Sequence, residues 1–222
     1  MIKYKDKIFV AGHNGLVGRS IVRKLKFKGY KNILVVDRVK LDLTNQNKVL
    51  NFLKKNKPKF IFIAAAKVGG IYANSKLAAR DMCKLNAYLH KIDYVHTRFS
   101  VFVDDHLSAN SFVHKVLKKI KNEETYNTPQ NDQLFDILTL EEGARAYRLI
   151  GEKGVNKADY FIGSGEPKTL SQYFKQFKNV VSGLDYNYNN PINLNNKLLS
   201  TDDFSINDLI SDTGFKPEVS YE

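Results

Sequence analysis

Cysteine is nearly absent, with Cys83 the single example among 222 residues. One thiol can neither close an internal disulfide nor build a cysteine-based zinc site, so no metal centre is expected and nothing points to an oxidising compartment. Tryptophan is missing, and proline and glycine number only 5 and 13, which excludes collagen-like and low-complexity chains. Long apolar runs are lacking too. The longest are strand-sized, well short of the roughly 18 consecutive apolar residues of a membrane helix. MIKYKDK passes straight into IFVAG without the apolar stretch and cleavage site of a secretory signal. The expectation is a soluble, cytoplasmic protein with no membrane partner.

Acidic residues are in short supply, at 23 against 35 Lys plus Arg, for a formal charge of +12. That sign brings polyanionic partners into view. The lysines, however, are dispersed through segments such as KKNKPK at 54–59 and KKIK at 118–121, as on solvated helix faces. No recognisable nucleic-acid-binding module accompanies them, and no nucleic-acid partner is expected.

What remains is an ordinary globular composition, long enough for one to two domains with a core of their own. Ile8 to Ala11 reads as a buried strand, and Leu16 to Leu25 carries apolar residues at helical spacing. A second strand at Ile33 to Val36, a helix at Asn45 to Lys54 and a third strand at Phe60 to Ala66 continue the alternation. Strands that are continuous apolar runs between helices argue for a parallel sheet covered on both faces. The spacing predicts a long helix over Ala73 to Lys91 and a strand over Tyr94 to Phe102. Beyond it come helices at Ser111 to Lys121, Glu141 to Glu152 and Ser171 to Val181, a strand at Asp159 to Ile162, and an Asn-rich loop from Asp185 to Asn196.

Gly12, Gly15 and Gly18 form G-x-x-G-x-x-G between the first strand and the first helix. Without side chains there, the backbone N–H groups of the turn approach a diphosphate, and the helix N-terminus adds partial positive charge. Asp37, about 20 residues on at the end of the second strand, completes the pattern of a dinucleotide site. An acid in that place accepts hydrogen bonds from the ribose hydroxyls of NAD. Its neighbour Arg38 has the opposite tendency, because a guanidinium can hold the extra phosphate of NADP. Both cofactors, NADP or NAD, stay open.

KIFVAGHNGLVGRSIVRKL, LDLTNQ and AAAKVGGIYAN together resemble the amino-terminal part of the GDP-L-fucose synthase family, within the extended short-chain dehydrogenases. SKLAARDMCKLN, DYVHTRFSVF, QLFDILTLEEGARA, YFIGSGEPKTL and DTGFKPEVSYE are similar to the later part of NAD-dependent nucleotide-sugar epimerases and dehydratases. The resemblance implies an α/β fold, a Rossmann-like doubly wound parallel sheet with a small carboxy-terminal α+β substrate part. Residues 1–103 would form the dinucleotide-binding domain and 104–222 the substrate-binding part, with the strand near 159–162 returning to the main sheet. It implies cofactor contacts from Gly12, Asn14, Gly15, Leu16, Val17, Gly18, Asp37, Arg38, Asp42, Ala64, Ala65 and Ala66. It also implies hydride transfer at a carbon of a nucleotide sugar, GDP-linked by preference, substrate contacts from Arg98 and Asn110, and a possible homodimer.

In that family a Ser or Thr from an S-S-x-x-Y-P strand end works with a Y-x-x-x-K helix. Tyr72 and Lys76 satisfy the second pattern. They would share a helix face, where an ammonium favours the phenolate by opposite-charge attraction. No S-S-x-x-Y-P follows residue 66, so the sheet is expected to be shortened by one strand-helix unit, with the strand at Tyr94 in the vacant slot. A catalytically impaired dinucleotide-binding remnant is the alternative. The family's proton-transfer pair, a Cys from the lost strand and a His in N-S-H, is not clearly retained: Phe112 follows Asn110-Ser111, Cys83 is expected to be buried in its helix, and His114 to lie on a helix face. Asp136 is expected either to meet the substrate or to pin the two domains together.

Overall fold

Apolar side chains at every position of a strand require cover on both faces, and Ile8 to Ala11 obtains it. The computed structural model describes residues 2–64, 72–126, 133–182 and 199–218. In it these residues form β1 (Ile8–Ala11), buried throughout. β1 is the middle strand of a parallel sheet, between β2 (Ile33–Leu34) and β3 (Phe60–Ile63), in the order β2-β1-β3. Ile8 stands opposite Ile33 on one side and Phe60 on the other.

Helix α1 (Leu16–Phe27) covers one face of the sheet, its Ile21 and Leu25 packing with Ile8 and Val10. Phe9 and Ala11 point the other way, to Leu41 and to Val49, Phe52 and Leu53 around α2 (Gln46–Asn56). The Phe9 and Phe52 rings lie 5.0 Å apart. α2 starts where Asn45 accepts the Lys48 backbone N–H, satisfying one of the donors left open in a first helical turn. At about 1.5–3 kcal/mol for each large side chain taken fully out of water, the two layers are what make this short sheet stable. The α/β, Rossmann-like fold class is therefore realised with helices on both faces of a parallel sheet.

β3 departs from the expected pattern. Phe60 and Phe62 pack with the α1 layer, whereas Ile61 and Ile63 are exposed, Ile63 to 72%. Ala64 continues the ladder by donating its N–H to the Ala11 carbonyl, and Ala65 and Ala66 lie outside the described residues. The strand expected over Tyr94 to Phe102 divides into β4 (His96–Arg98) and β5 (Val101–Val103). β4 does not fill the place beside β3; its neighbour is β8 (Asp159–Phe161), while β5 pairs in parallel with β7 (Ile137–Thr139). A single stretch expected to be one strand thus serves two pairings, which its sequence pattern alone does not reveal.

The chain forms two compact units. The first contains Met1–His96, Ala144–Tyr160 and Asp212–Gly214, the second Thr97–Gly143, Phe161–Ser211 and Phe215–Glu222. α3 (Tyr72–Leu89) belongs to the first unit. So does most of α5 (Leu140–Lys153), where the Ile2 N–H donates to the Gly151 carbonyl, the Tyr30 hydroxyl donates to Glu152, and Arg148 pairs with Glu152. Tyr160 donates to Asp212 at 2.6 Å and accepts the Val155 N–H. In the second unit, α4 (Phe112–Lys121) packs against α6 (Leu170–Ser182) around Leu117 and Phe174. Lys118, Lys119 and Lys121 of α4 are exposed. β6 (Leu134–Phe135) pairs antiparallel with β9 (Lys168–Thr169), and α7 (Asn207–Thr213) follows a 3-10 turn at Thr201–Phe204. Among the described residues, no helix is long and apolar enough to cross a membrane, and no cluster of His, Cys, Asp and Glu is placed to hold a metal ion.

Candidate functional site

The turn from β1 into α1 depends on its glycines. Gly12 has φ +82°, a conformation side chains resist, and its carbonyl accepts the Gly15 N–H at 3.0 Å. At Gly18 the constraint is space: a β-carbon would stand 2.2 Å from the Gly12 carbonyl oxygen. The helix therefore sits directly on the turn. α1 is capped by Gly15 with no side-chain hydrogen bond and has no acid in its first turn. The backbone N–H groups of Leu16, Val17 and Gly18, lacking intrahelical acceptors at that end, form a cradle for an anion. By charge and by the absence of side chains such a cradle suits a phosphate group.

Asp37 lies three residues beyond the end of β2, in a turn where its carbonyl accepts the N–H groups of Lys40 and Leu41. Its carboxylate reaches back to the glycine turn. Asn14 donates to Oδ1 at 2.8 Å, and His13 Nε2 is 3.5 Å from the same oxygen. Arg38 points to Asp42, 3.7 Å away, with its side chain 77% exposed. Asp42 in turn accepts the backbone N–H and hydroxyl of Thr44, and those hydrogen bonds hold its carboxyl below the usual carboxylate range. Asn14 and Asp37 thus form one pair at the glycine turn, and Arg38 and Asp42 a second pair in the chain after β2. His13 was not singled out by sequence reasoning; its position inside the glycine pattern was the available signal.

The other expected site residues are more dispersed. α3 begins at Tyr72, so positions 72 and 76 are one turn apart on its backbone. The Tyr72 side chain lies outside the described residues, as do Ala65 and Ala66, and Lys76 is exposed. Cys83 is exposed rather than buried in its helix, because the apolar side chains around it, Met82, Leu85 and Leu89 among them, are uncovered as well. In the second unit, Arg98 ends β4 with its carbonyl accepting the Ile162 N–H, and Asn110 is exposed just before α4.

His114 is only 2% exposed. Its Nδ1 lies 2.7 Å from the hydroxyl of Ser111, which also accepts the His114 backbone N–H as the helix cap. Burial keeps this imidazole less basic than usual, opposed by the charge of Asp104 and reinforced by Lys118. Asp136 accepts the N–H groups of Ser164 and Gly165 at 2.7 and 2.9 Å and so pins the GSGEPKT loop; burial nevertheless pushes its carboxyl up. Both groups organise their own unit.

Residues 8–71 match the NAD dependent epimerase/dehydratase family. The match spans the glycine turn, Asp37 and β3. The chain is 42% identical over 100 residues to a putative GDP-L-fucose synthase 2 of Arabidopsis thaliana, a stretch covering 45% of this chain and 30% of that relative. It therefore spans less than a third of the length of the curated relative it matches. Thermus thermophilus UDP-glucose 4-epimerase, solved with NAD, superposes with a TM-score of 0.75 at 14% identity, covering 97% of this chain and 95% of that one. GDP-mannoheptose C4 reductase from Campylobacter jejuni, solved with NADP, gives 0.70 at 14% identity over 82% and 87% of the two chains. The Rossmann-like fold is shared with both.

Proposed function

We propose that this chain is an NAD(P)-dependent oxidoreductase or epimerase acting on a nucleotide sugar, GDP-linked by preference. The observation that carries the reading is the glycine turn, with Gly18 packed on Gly12 and Asp37 tied back to it through Asn14. Gly12, Gly15, Leu16, Val17 and Gly18 would hold the diphosphate, and Asp37 the adenosine ribose. The cofactor supplies hydride transfer at a sugar carbon. On the protein side, the Tyr72 phenol gives or takes the proton of the sugar hydroxyl, and Lys76, one helical turn on, stabilises the phenolate. Arg98 and Asn110 are the proposed substrate contacts. Support for the GDP-linked class comes from the sequence relative, a putative GDP-L-fucose synthase.

A second reading, a dinucleotide-binding remnant with impaired catalysis, has one observation in its favour. β4 reads HTR and β5 reads VFV, and among the described residues after Ala64 no strand carries an S-S-x-x-Y-P end. The experiment is a fluorescence titration of the purified chain with NADH and NADPH, followed by a turnover assay with keto-sugar nucleotides. Saturable binding with steady cofactor consumption supports the enzyme, and binding without turnover supports the remnant. A folded chain that binds neither cofactor overturns both.

A further inference from the structure

The second unit contains ten Lys and Arg against fifteen Asp and Glu, so it is net acidic within a basic chain. Its charges are sorted. Helices α4 and α6 pack against one another and carry six of those cations, Lys115, Lys118, Lys119, Lys121, Lys175 and Lys178, and none of the acids. All six are exposed, and none makes an ion pair among the described residues. Glu123 and Glu124 follow only after α4 has ended.

Helical geometry sets which way these groups face. On α4, Val113, Val116, Leu117 and Ile120 are buried in a core shared with Tyr173 and Phe174 of α6. Phe112, Lys115, Lys118 and Lys119, at three- and four-residue spacing, fall on the opposite side of the helix. Phe112 is 52% exposed. On α6, Lys175 and Lys178 are three residues apart and exposed, turned away from the buried Tyr173, Phe174 and Gln176. The outward sides of both helices are thus rich in lysine and free of acid, with one large apolar ring among the α4 lysines.

We propose that the outward sides of α4 and α6 form a docking surface for an anionic phospholipid membrane. Charge complementarity selects an anionic occupant, because each lysine close to such a surface adds to the attraction. The acidic remainder of the unit is repelled, which orients the unit on the plane. Composition favours lipid over nucleic acid. The cations are all Lys, compact point charges without the planar fork of Arg that recognises phosphates and bases in pairs. Phe112 adds the apolar contact with the headgroup boundary that strengthens interfacial binding. Docking of this kind needs no membrane-spanning helix, and no residue of the glycine turn takes part, so the inference does not depend on the oxidoreductase reading.

The test is co-sedimentation of the full chain with vesicles of phosphatidylcholine alone and of phosphatidylcholine with about 30% phosphatidylserine. Wild type binds the second and not the first, and is released as salt rises to about 0.5 M. The first unit is itself basic, so a matched pair of variants separates this face from bulk charge. Lys115→Gln/Lys118→Gln/Lys175→Gln/Lys178→Gln lowers the affinity at least about tenfold. Lys26→Gln/Lys28→Gln/Lys31→Gln/Lys55→Gln, which removes the same charge from exposed sites of the first unit, lowers it by less than about twofold. Phe112→Ser leaves the charge unchanged and weakens binding about threefold. All the substituted positions are exposed, so the variants are expected to melt with wild type, which the same samples check.

Equal binding to both kinds of vesicle, or to neither, overturns the inference. So does an equal loss in the two quadruple variants, which would assign the attraction to net charge. Tighter binding to a mixed-sequence DNA duplex than to the anionic vesicles, lost with the same four lysines, would make nucleic acid the partner of this face and overturn the membrane assignment.

Discussion

One methyl group at position 18 is enough to test the glycine turn. A β-carbon there lies 2.2 Å from the Gly12 carbonyl oxygen and 3.0 Å from the His13 α-carbon, both backbone atoms that cannot swing aside. Gly18→Ala should destabilise the chain by about 1–3 kcal/mol, the usual cost of overpacking, and lower Tm in a thermal melt. His114 supplies a pH signature. Its imidazole is kept neutral in the fold by burial, so its folded pKa lies below the ordinary 6.5. The stability it contributes is full above that unfolded value and is lost as pH falls through the folded one. Urea unfolding at pH 7.5, 6.5 and 5.5 should show wild type losing stability towards acid, with a shallower decline in His114→Gln. An equal decline in both would show that other groups carry the acid limb.

Helices α1 and α3 look alike as apolar patterns and behave differently as elements. Leu25 of α1 is completely buried against β1, whereas Leu85 of α3 is 58% exposed. Leu25→Ala is expected to cost about 2–5 kcal/mol, through lost burial and the cavity left behind. Leu85→Ala should change stability by no more than about 0.5 kcal/mol, as for an exposed site. Denaturant curves on the two variants compare them directly, and a large cost at Leu85 would mean that α3 is covered in solution. β3 tells the same story in miniature, since Phe60 and Phe62 are packed while Ile61 and Ile63 are open. Alternation of that kind was hidden in a run, FIFI, that is apolar at every position.

At the scale of the whole molecule, the first unit is assembled from three separate stretches of chain. Tyr147 packs with the α1 layer, Glu152 accepts from Tyr30, and Gly151 accepts from Ile2. A fragment ending at residue 103 has none of these partners. It is expected to melt without a cooperative transition in calorimetry, where the full chain shows one. A cooperative melt of the fragment would show that the β2-β1-β3 sheet and its helices suffice.

The order strand, glycine turn, helix, strand, helix, strand was legible from residue 8 to residue 63 because each part is local. Apolar runs set the strands, helical spacing set α1 and α2, and glycines marked the one turn that side chains cannot enter. The glycine turn and the acid after β2 were proposed as a dinucleotide site on the same local grounds. What periodicity does not encode is which distant segment completes a surface. The sharing of Tyr94 to Phe102 between β8 and β7, the open face of α3 and the return of Ala144–Tyr160 to the first unit all depend on packing between residues far apart in the chain. Asp37 and Arg38 divide on the same line. Arg38 meets Asp42 four residues on, a local contact, whereas Asn14 reaches Asp37 from 23 residues away, which only the tertiary structure decides because the β1–α1 turn and the chain after β2 must first be brought together.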